Sequence, residues 1–372
     1  MADRLGVVLV TGFLGSGKTT LISALLAHPA MGETAVLVNE LGEVAIDHHL
    51  VRQVDERTVV LDSGCICCTL RGDLQDELRD LLARRARGEL APFRRVVVET
   101  TGLADPAPVL STLLGEPLLR HHYAIEAVVT TVDAVNGAAT LDRHPESVKQ
   151  AAVADTLLVT KADTATPADV ATLEARLRAL NPVASVRRVA FGAIAPDDLL
   201  RGRTRDVPAA ALADREAAGH DHARHAGDVR AFTLVLDEPL DWDAFAVWLT
   251  MLLHSRGLDV LRVKGLLDVG AAGPVVLDGV QHVVHRPRHL EAWPDDDHRS
   301  RIVFITRGIE REAVLASLEA FAALGPNRTG DARGRAERLR RPAPRGASPV
   351  RFGPGPRTRR ATPAPPRARS RA

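Results

Sequence analysis

Short apolar runs alternate with amphipathic stretches through the first two hundred residues. Val7–Val10, Ala35–Val38, Val59–Leu61, Val96–Val98, Ala127–Val129 and Leu157–Val159 are nearly continuous and rich in β-branched residues. That is the pattern of strands buried on both faces of a parallel sheet. Helical patterns lie between them. One follows Thr19, and another runs from Leu70 to Arg87 with Leu74, Leu78, Leu81 and Leu82 on one face. Such alternation predicts a doubly wound, mostly parallel α/β domain.

Near Arg201 the pattern gives way to Ala-, Asp- and His-rich sequence containing His220, His222 and His225, read as a linker. Alternation returns at Ala231–Leu236. A helix is expected from Trp242 to about Leu253, strands near Val260–Val263, Val275–Leu277 and Ile302–Ile305, and a last helix from about Glu310 to Leu324. These elements make a smaller α+β domain, of a size typical for an independent module. The expected organisation is a nucleotide-binding domain over 1–201, a linker over 202–228, the second domain over 229–324 and a tail over 325–372. No internal repeat is visible.

Composition adds two constraints. With 372 residues, 45% of them hydrophobic, the chain can bury a sizeable core. The net charge of +1 hides an asymmetry: after Pro326, fourteen arginines stand against Asp331 and Glu337, so the tail carries about +12 and the remainder about −11. The tail is Pro-rich with almost no large apolar residue after Leu339, and is expected to be disordered. Its charge is read as a solvated extension in preference to a nucleic-acid contact. The apolar runs are too short to span a membrane, and Met1-Ala2-Asp3-Arg4 leads into a strand with no leader pattern, so the expectation is a cytoplasmic protein without membrane contact.

Gly12-Phe13-Leu14-Gly15-Ser16-Gly17-Lys18-Thr19 satisfies the complete phosphate-loop pattern between a strand and a helix. Glycines 12, 15 and 17 let backbone N–H groups turn inward around phosphates, and the helix N-terminus adds a favourable dipole. Ser16 and Thr20 complete the binding set, Lys18 is expected at the β and γ phosphates, and the Thr19 hydroxyl at Mg²⁺. Glu99 and Gly102, after the strand Val96–Val98, stand where a carboxylate can hold the Mg²⁺ shell and an N–H can meet the γ-phosphate. Thr160-Lys161-Ala162-Asp163 follows a late strand. There an aspartate can accept two hydrogen bonds from guanine while a lysine stem covers the ring, which argues for GTP.

All three cysteines fall at Cys65, Cys67 and Cys68. They make a poor disulfide framework, but offer up to three thiolates of a tetrahedral zinc shell and an open fourth place that suits transfer. A redox switch is the rival reading. The stretch Asn39–His48 carries Glu40, Glu43 and Asp47 as candidates for Mg²⁺, the attacking water or the thiol-bound metal. Asp47 is placed with Lys18 and Glu99 among the catalytic candidates, Glu40 and Glu43 among the metal ligands, and the sequence leaves the assignment open. His220, His222 and His225 can form a labile site for Zn²⁺, Ni²⁺ or Co²⁺. His282, His285 and His289 are read as packing or surface residues.

Together, Gly12–Thr20, Asn39–His48, the Cys-x-Cys-Cys run and Glu99–Pro106 resemble the signatures of the CobW-type GTPases that traffic metals. Val263-Lys264-Gly265-Leu266-Leu267, Trp293 and Arg301–Ile305 are similar to that family's C-terminal module, and the likeness runs from about Leu5 to Leu324. The resemblance implies a GTPase that binds a transition metal, zinc foremost, through Cys65, Cys67 and Cys68 and delivers it to a client metalloprotein. Cobalt handling linked to cobalamin synthesis is an alternative within the family. A phosphate-loop ATPase or kinase with a cysteine redox sensor is an alternative outside it, as is a non-enzymatic metal-storage or nucleic-acid-associated protein using the linker histidines and the basic tail. Homo-oligomerisation is left open. Two features depart from the family pattern: the Arg-rich tail, and Thr160 where Asn is usual. The latter keeps a hydroxyl but loses an amide and predicts weaker guanine discrimination.

Overall fold

The computed structural model describes residues 4–38, 59–62, 72–200 and 228–324. Its first sheet contains β1 (Leu5–Gly12), β2 (Thr34–Val38), β3 (Val59–Asp62), β4 (Arg95–Glu99), β5 (Tyr123–Asp133), β6 (Thr156–Thr160) and β7 (Ser185–Val189). Their order is β3-β2-β4-β1-β5-β6-β7, and every pairing is parallel. The aliphatic runs account for all of these strands except β7, whose Ser-Val-Arg-Arg-Val sequence has too few apolar positions to stand out. It is the last strand of the sheet, and its adjacent residues Arg187 and Arg188, which point to opposite faces, are both exposed, so neither face carries a continuous apolar run.

Helices cover both faces. On β1, Val8 and Val10 pack with Leu21, Ile22 and Leu25 of α1 (Lys18–Leu26). The alternate residues Val7 and Leu9 pack with Leu74, Leu78 and Leu81 of α2 (Gly72–Ala86), and with Leu110 and Leu113 of α3 (Ala107–Gly115). Period-two alternation in a strand buried on both sides thus feeds two separate cores. Further crossovers are α4 (Pro117–His122), α5 (Gly137–Arg143), α6 (Pro145–Val153), α7 (Pro167–Leu180) and α8 (Pro196–Leu200). Pro117, Pro145 and Pro167 each open a helix at the position where a missing N–H costs nothing.

The second sheet is antiparallel. It comprises β8 (Val229–Leu236), β9 (Val260–Leu267), β10 (Val275–Val280), β11 (Val283–Val284), β12 (Arg288–His289) and β13 (Ser300–Arg307). The order is β11-β10-β9-β13-β8, with β12 beside β10. Along β13, Ile302 and Phe304 face Phe245, Trp248 and Leu249 of α9 (Trp242–Arg256) and Val314 and Leu318 of α10 (Arg311–Leu324). The alternating residues Val303 and Ile305 share a core with Val148 and Ala151 of α6 and Leu173, Leu177 and Leu180 of α7. The antiparallel sheet is the smaller second domain expected from the sequence, and it packs with the first sheet in one compact unit through a common core. Among the described residues, no helix is long and apolar enough to cross a membrane.

A buried charge cluster fastens the two sheets. Arg262, on β9, is 1% exposed. It donates to the Val153 carbonyl at the end of α6 (3.0 Å) and to the Asp155 carboxylate (2.5 Å), and pairs with Asp278 of β10 (2.8 Å). Lys264 Nζ lies 3.5 Å from Asp155, whose other oxygen accepts the Val128 N–H. Burial opposes ionisation of Asp155, but Arg262, Lys264 and that N–H hold its carboxyl below the usual range. Burial pushes the neighbouring His285 imidazole down as well.

Removing one member of a buried pair leaves an uncompensated charge, at a cost of about 3–5 kcal/mol. Arg262→Met is expected to lower stability by that order in urea denaturation. Both depressed pKa values carry the same sign: their stabilisation is present at neutral pH. Stability should begin to fall as pH drops below the ordinary imidazole value of 6.5, and fall further as Asp155 takes up its proton. Denaturation midpoints across pH 8 to 2 check this, the histidine contribution being lost first and that of Asp155 below its ordinary value of 3.8.

Candidate nucleotide site

The parallel register collects the predicted residues at one sheet edge. Val10 aligns with Glu99 on one side and Val129 on the other, and Thr160 aligns with Asp133 and Val189. Past β1 the chain turns through Gly12, Gly15 and Gly17, at φ of 141°, 72° and 93°. These values favour glycine, and Gly17 caps α1. Lys18 and Ser16 are buried, Thr20 is exposed, and Lys18 Nζ lies 3.4 Å from the Phe13 carbonyl.

Thr19 and Glu99 meet across the sheet. The threonine hydroxyl donates to the Glu99 carboxylate at 2.9 Å, which sets two hard oxygen ligands side by side at the start of α1. Gly102 approaches the loop from the other side: a β-carbon there would lie 2.6 Å from the Leu14 nitrogen, so two backbones meet where only glycine fits. Gln150 of α6 is fully buried and donates to the carbonyls of Gly102 (3.2 Å) and Ala104 (3.0 Å), fixing this loop to the second layer.

The base motif is tied directly to the phosphate loop. The Thr160 hydroxyl donates to the Ser16 carbonyl at 2.7 Å, and Lys161 Nζ donates to the Gly15 carbonyl and to Asp133, both at 2.8 Å. Thr160 is therefore buried against the loop, with its hydroxyl making the contact. Asp163 stands exposed on the turn that follows. Asp133 also accepts from Val135 and Asn136; burial opposes its charge, and Lys161 with these donors holds its pKa low. A cavity of about 250 Å³ opens here, with Gly15, Ser16, Asp133, Asn136 and Lys161 in its wall.

Asp133 and Gln150 escaped motif reading. The signal for Asp133 was an acid closing an apolar strand, as at Glu99; a glutamine within a helix carries no comparable signal. Cys65, Cys67 and Cys68, Glu40, Glu43 and Asp47, and the histidines 220, 222 and 225 lie outside the described residues, as does the tail. Among the described residues, no group of three or more His, Cys, Asp or Glu side chains could hold a metal ion.

Comparison with known proteins agrees with this geometry. Residues 6–188 match the model for the CobW/HypB/UreG nucleotide-binding domain, and residues 229–322 match that for the cobalamin synthesis protein cobW C-terminal domain. The zinc chaperone YjiA of Escherichia coli is 32% identical over 323 residues, covering 87% of this chain and 99% of that protein. The zinc chaperone CobW of Pseudomonas aeruginosa is 30% identical, covering 86% and 92%. The crystal structure of Zn(II)-bound YjiA GTPase from E. coli superposes with a TM-score of 0.66 at 27% identity, over 86% of this chain and 99% of that one. A triple mutant of YjiA lacking one glutamate and two cysteines, also Zn(II)-bound, gives 0.64 at 26% identity, with the same coverage. A phosphate loop, a base motif bonded to it and a second sheet locked onto the same core thus coincide with both domain matches, and the chain belongs to the CobW family.

Proposed function

We propose that this chain is a GTP-hydrolysing zinc chaperone, which captures Zn²⁺ and passes it to a client metalloprotein under nucleotide control. The observation that carries the nucleotide half is the bonding of Thr160 and Lys161 to the Ser16 and Gly15 carbonyls, which makes phosphate loop and base turn one preorganised unit. The backbone of residues 12–19 cradles the phosphates, and Lys18 reaches the β and γ groups. Thr19 and Glu99 supply oxygen ligands for Mg²⁺, which when bound neutralises charge on the phosphate oxygens. Gly102 offers its N–H to the γ-phosphate. Asp163 accepts from the guanine edge while the Lys161 stem covers the ring. Asp47 is the candidate for orienting the attacking water.

The zinc half rests on donor chemistry and on relatives named as zinc chaperones. Cys65, Cys67 and Cys68 provide soft thiolates, with Glu40 and Glu43 as oxygen donors that can complete the shell. Strand register supports proximity to the nucleotide: β2 ends at Val38 beside the end of β4 at Glu99, and β3 ends at Asp62 on the other side of Val38. The stretch 39–48 thus starts one residue past this edge, and the cysteines start three residues past it. Co²⁺ or Ni²⁺ in place of Zn²⁺ is an outcome of metal titration.

Lys18→Ala removes the cation that meets the β and γ phosphates. GTP turnover, followed by phosphate release, is expected to fall by roughly 10²-fold or more, comparable with losing one preorganised donor. Normal turnover would refute the site.

Asp163→Asn leaves guanine donors without a carboxylate. Preference for GTP over ATP in competition binding is expected to drop by at least about tenfold, the low end for hydrogen bonds to charged groups. Unchanged preference would move base reading elsewhere.

Zinc is tested by affinity, because a relative lacking two cysteines was still solved with Zn(II). Under reducing conditions, Cys67→Ala should weaken Zn²⁺ binding in chelator competition, and wild-type affinity should fall as pH drops, since thiolates must lose protons before binding. Equal affinity in wild type and Cys67→Ala would remove this cysteine from the site.

A further inference from the structure

Phe191 is the most exposed large apolar residue among those described, at 81%. It sits in the loop after β7 with φ of +51°, a left-handed conformation uncommon for a bulky side chain. Such backbone costs about 1–3 kcal/mol and persists mainly at active sites and ligand clamps. Burial of the ring does not offset that cost here. Gly192, the next residue, also has positive φ, and a β-carbon there would lie 2.8 Å from the Thr20 carbonyl and 3.1 Å from Leu21 Cα. The loop is thereby pressed against the first turn of α1, immediately behind Lys18 and Thr19.

Sheet register brings this loop beside the base motif. Val189 aligns with Thr160, so Phe191, two residues past β7, corresponds to Ala162, two residues past β6. Lys161, on the other side of that alignment, is itself left-handed at φ of +54°. Two of the four non-glycine residues with positive φ among those described therefore occur just past the ends of adjacent strands, beside the phosphate loop. Because β7 is the neighbour of β6, the loop carrying Phe191 emerges beside the turn carrying Lys161 and Asp163.

We propose that Phe191 is a base-stacking residue that covers the face of the nucleobase opposite Lys161. The assignment rests on the reading of Lys161 and Asp163 as the base site. It divides recognition into two parts. Asp163 distinguishes guanine by its hydrogen-bonding edge; Phe191 holds any purine by its planar face, because every base presents a π surface.

The division can be tested by calorimetric binding of GDP, ADP and inorganic tripolyphosphate to the full chain, in wild type, Phe191→Ala, Phe191→Asn, Phe191→Tyr and Asp163→Ala. Asn suits left-handed backbone and removes the ring without altering the loop. Both ring-removing variants should weaken GDP and ADP by the same factor, at least about fivefold, the low end of base–aromatic stacking. Tripolyphosphate affinity should be unchanged, and Phe191→Tyr should restore nucleotide binding. Unaltered GDP and ADP affinities would overturn the proposal. An equal loss for tripolyphosphate would also overturn it, since the loop would then be acting through α1. Asp163→Ala tests the base-site reading separately: an intact preference for GDP over ADP, alongside losses in the Phe191 variants, would relocate edge recognition while leaving stacking supported.

Discussion

One guanidinium determines how the two halves of this protein sit. Arg262 is buried between the sheets and bonds the last carbonyl of α6, the carboxylate that begins β6 and a carboxylate of its own sheet. Taking these charges out of water is expensive unless geometry is nearly complete. The arrangement therefore tolerates little sliding, a strictness that apolar contact between Val303 or Ile305 and α7 does not impose. Asp155 meets a second cation, Lys264, and a backbone N–H, so its charge is compensated from both sheets.

The elements that Arg262 grips are the ones that build the nucleotide site. Helix α6 carries Gln150, which holds the Gly102–Ala104 loop by two carbonyls. Strand β6 begins after Asp155 and ends at Thr160, bonded to Ser16. A displacement of the second sheet would have to be absorbed by a buried ion cluster or by the loops at residues 12–19, 102–104 and 160–163.

Much of this was legible in the sequence, for reasons that can be stated. Buried parallel strands are continuous aliphatic runs, and six of the seven appeared as such; β7 did not, because an edge strand can carry Arg187 and Arg188. The phosphate loop and Glu99 were visible because their chemistry demands particular residues at fixed spacing. That the Thr160 hydroxyl faces the phosphate loop is set by tertiary packing and has no sequence signal. Nothing in the sequence marks Arg262 and Lys264 as buried, since charges are normally solvated; only the opposing Asp155, more than a hundred positions away, explains their burial. The shared core was hidden for the same reason, as β9 and β13 are apolar on faces whose partners lie in the other domain.

The proposed function couples zinc capture to nucleotide state: the acidic stretch and the thiols follow β2 and β3 in sequence, and those strands end at Val38 and Asp62, in register with Glu99 of β4. The direct measurement is Zn²⁺ affinity by chelator competition in the apo, GDP-bound and non-hydrolysable GTP-bound forms. Coupled sites typically differ by about 1–3 kcal/mol, so affinity should change about 5–150-fold between states, and Zn²⁺ should alter GTP affinity by the same factor. Equal zinc affinity in all three forms would contradict nucleotide-controlled delivery.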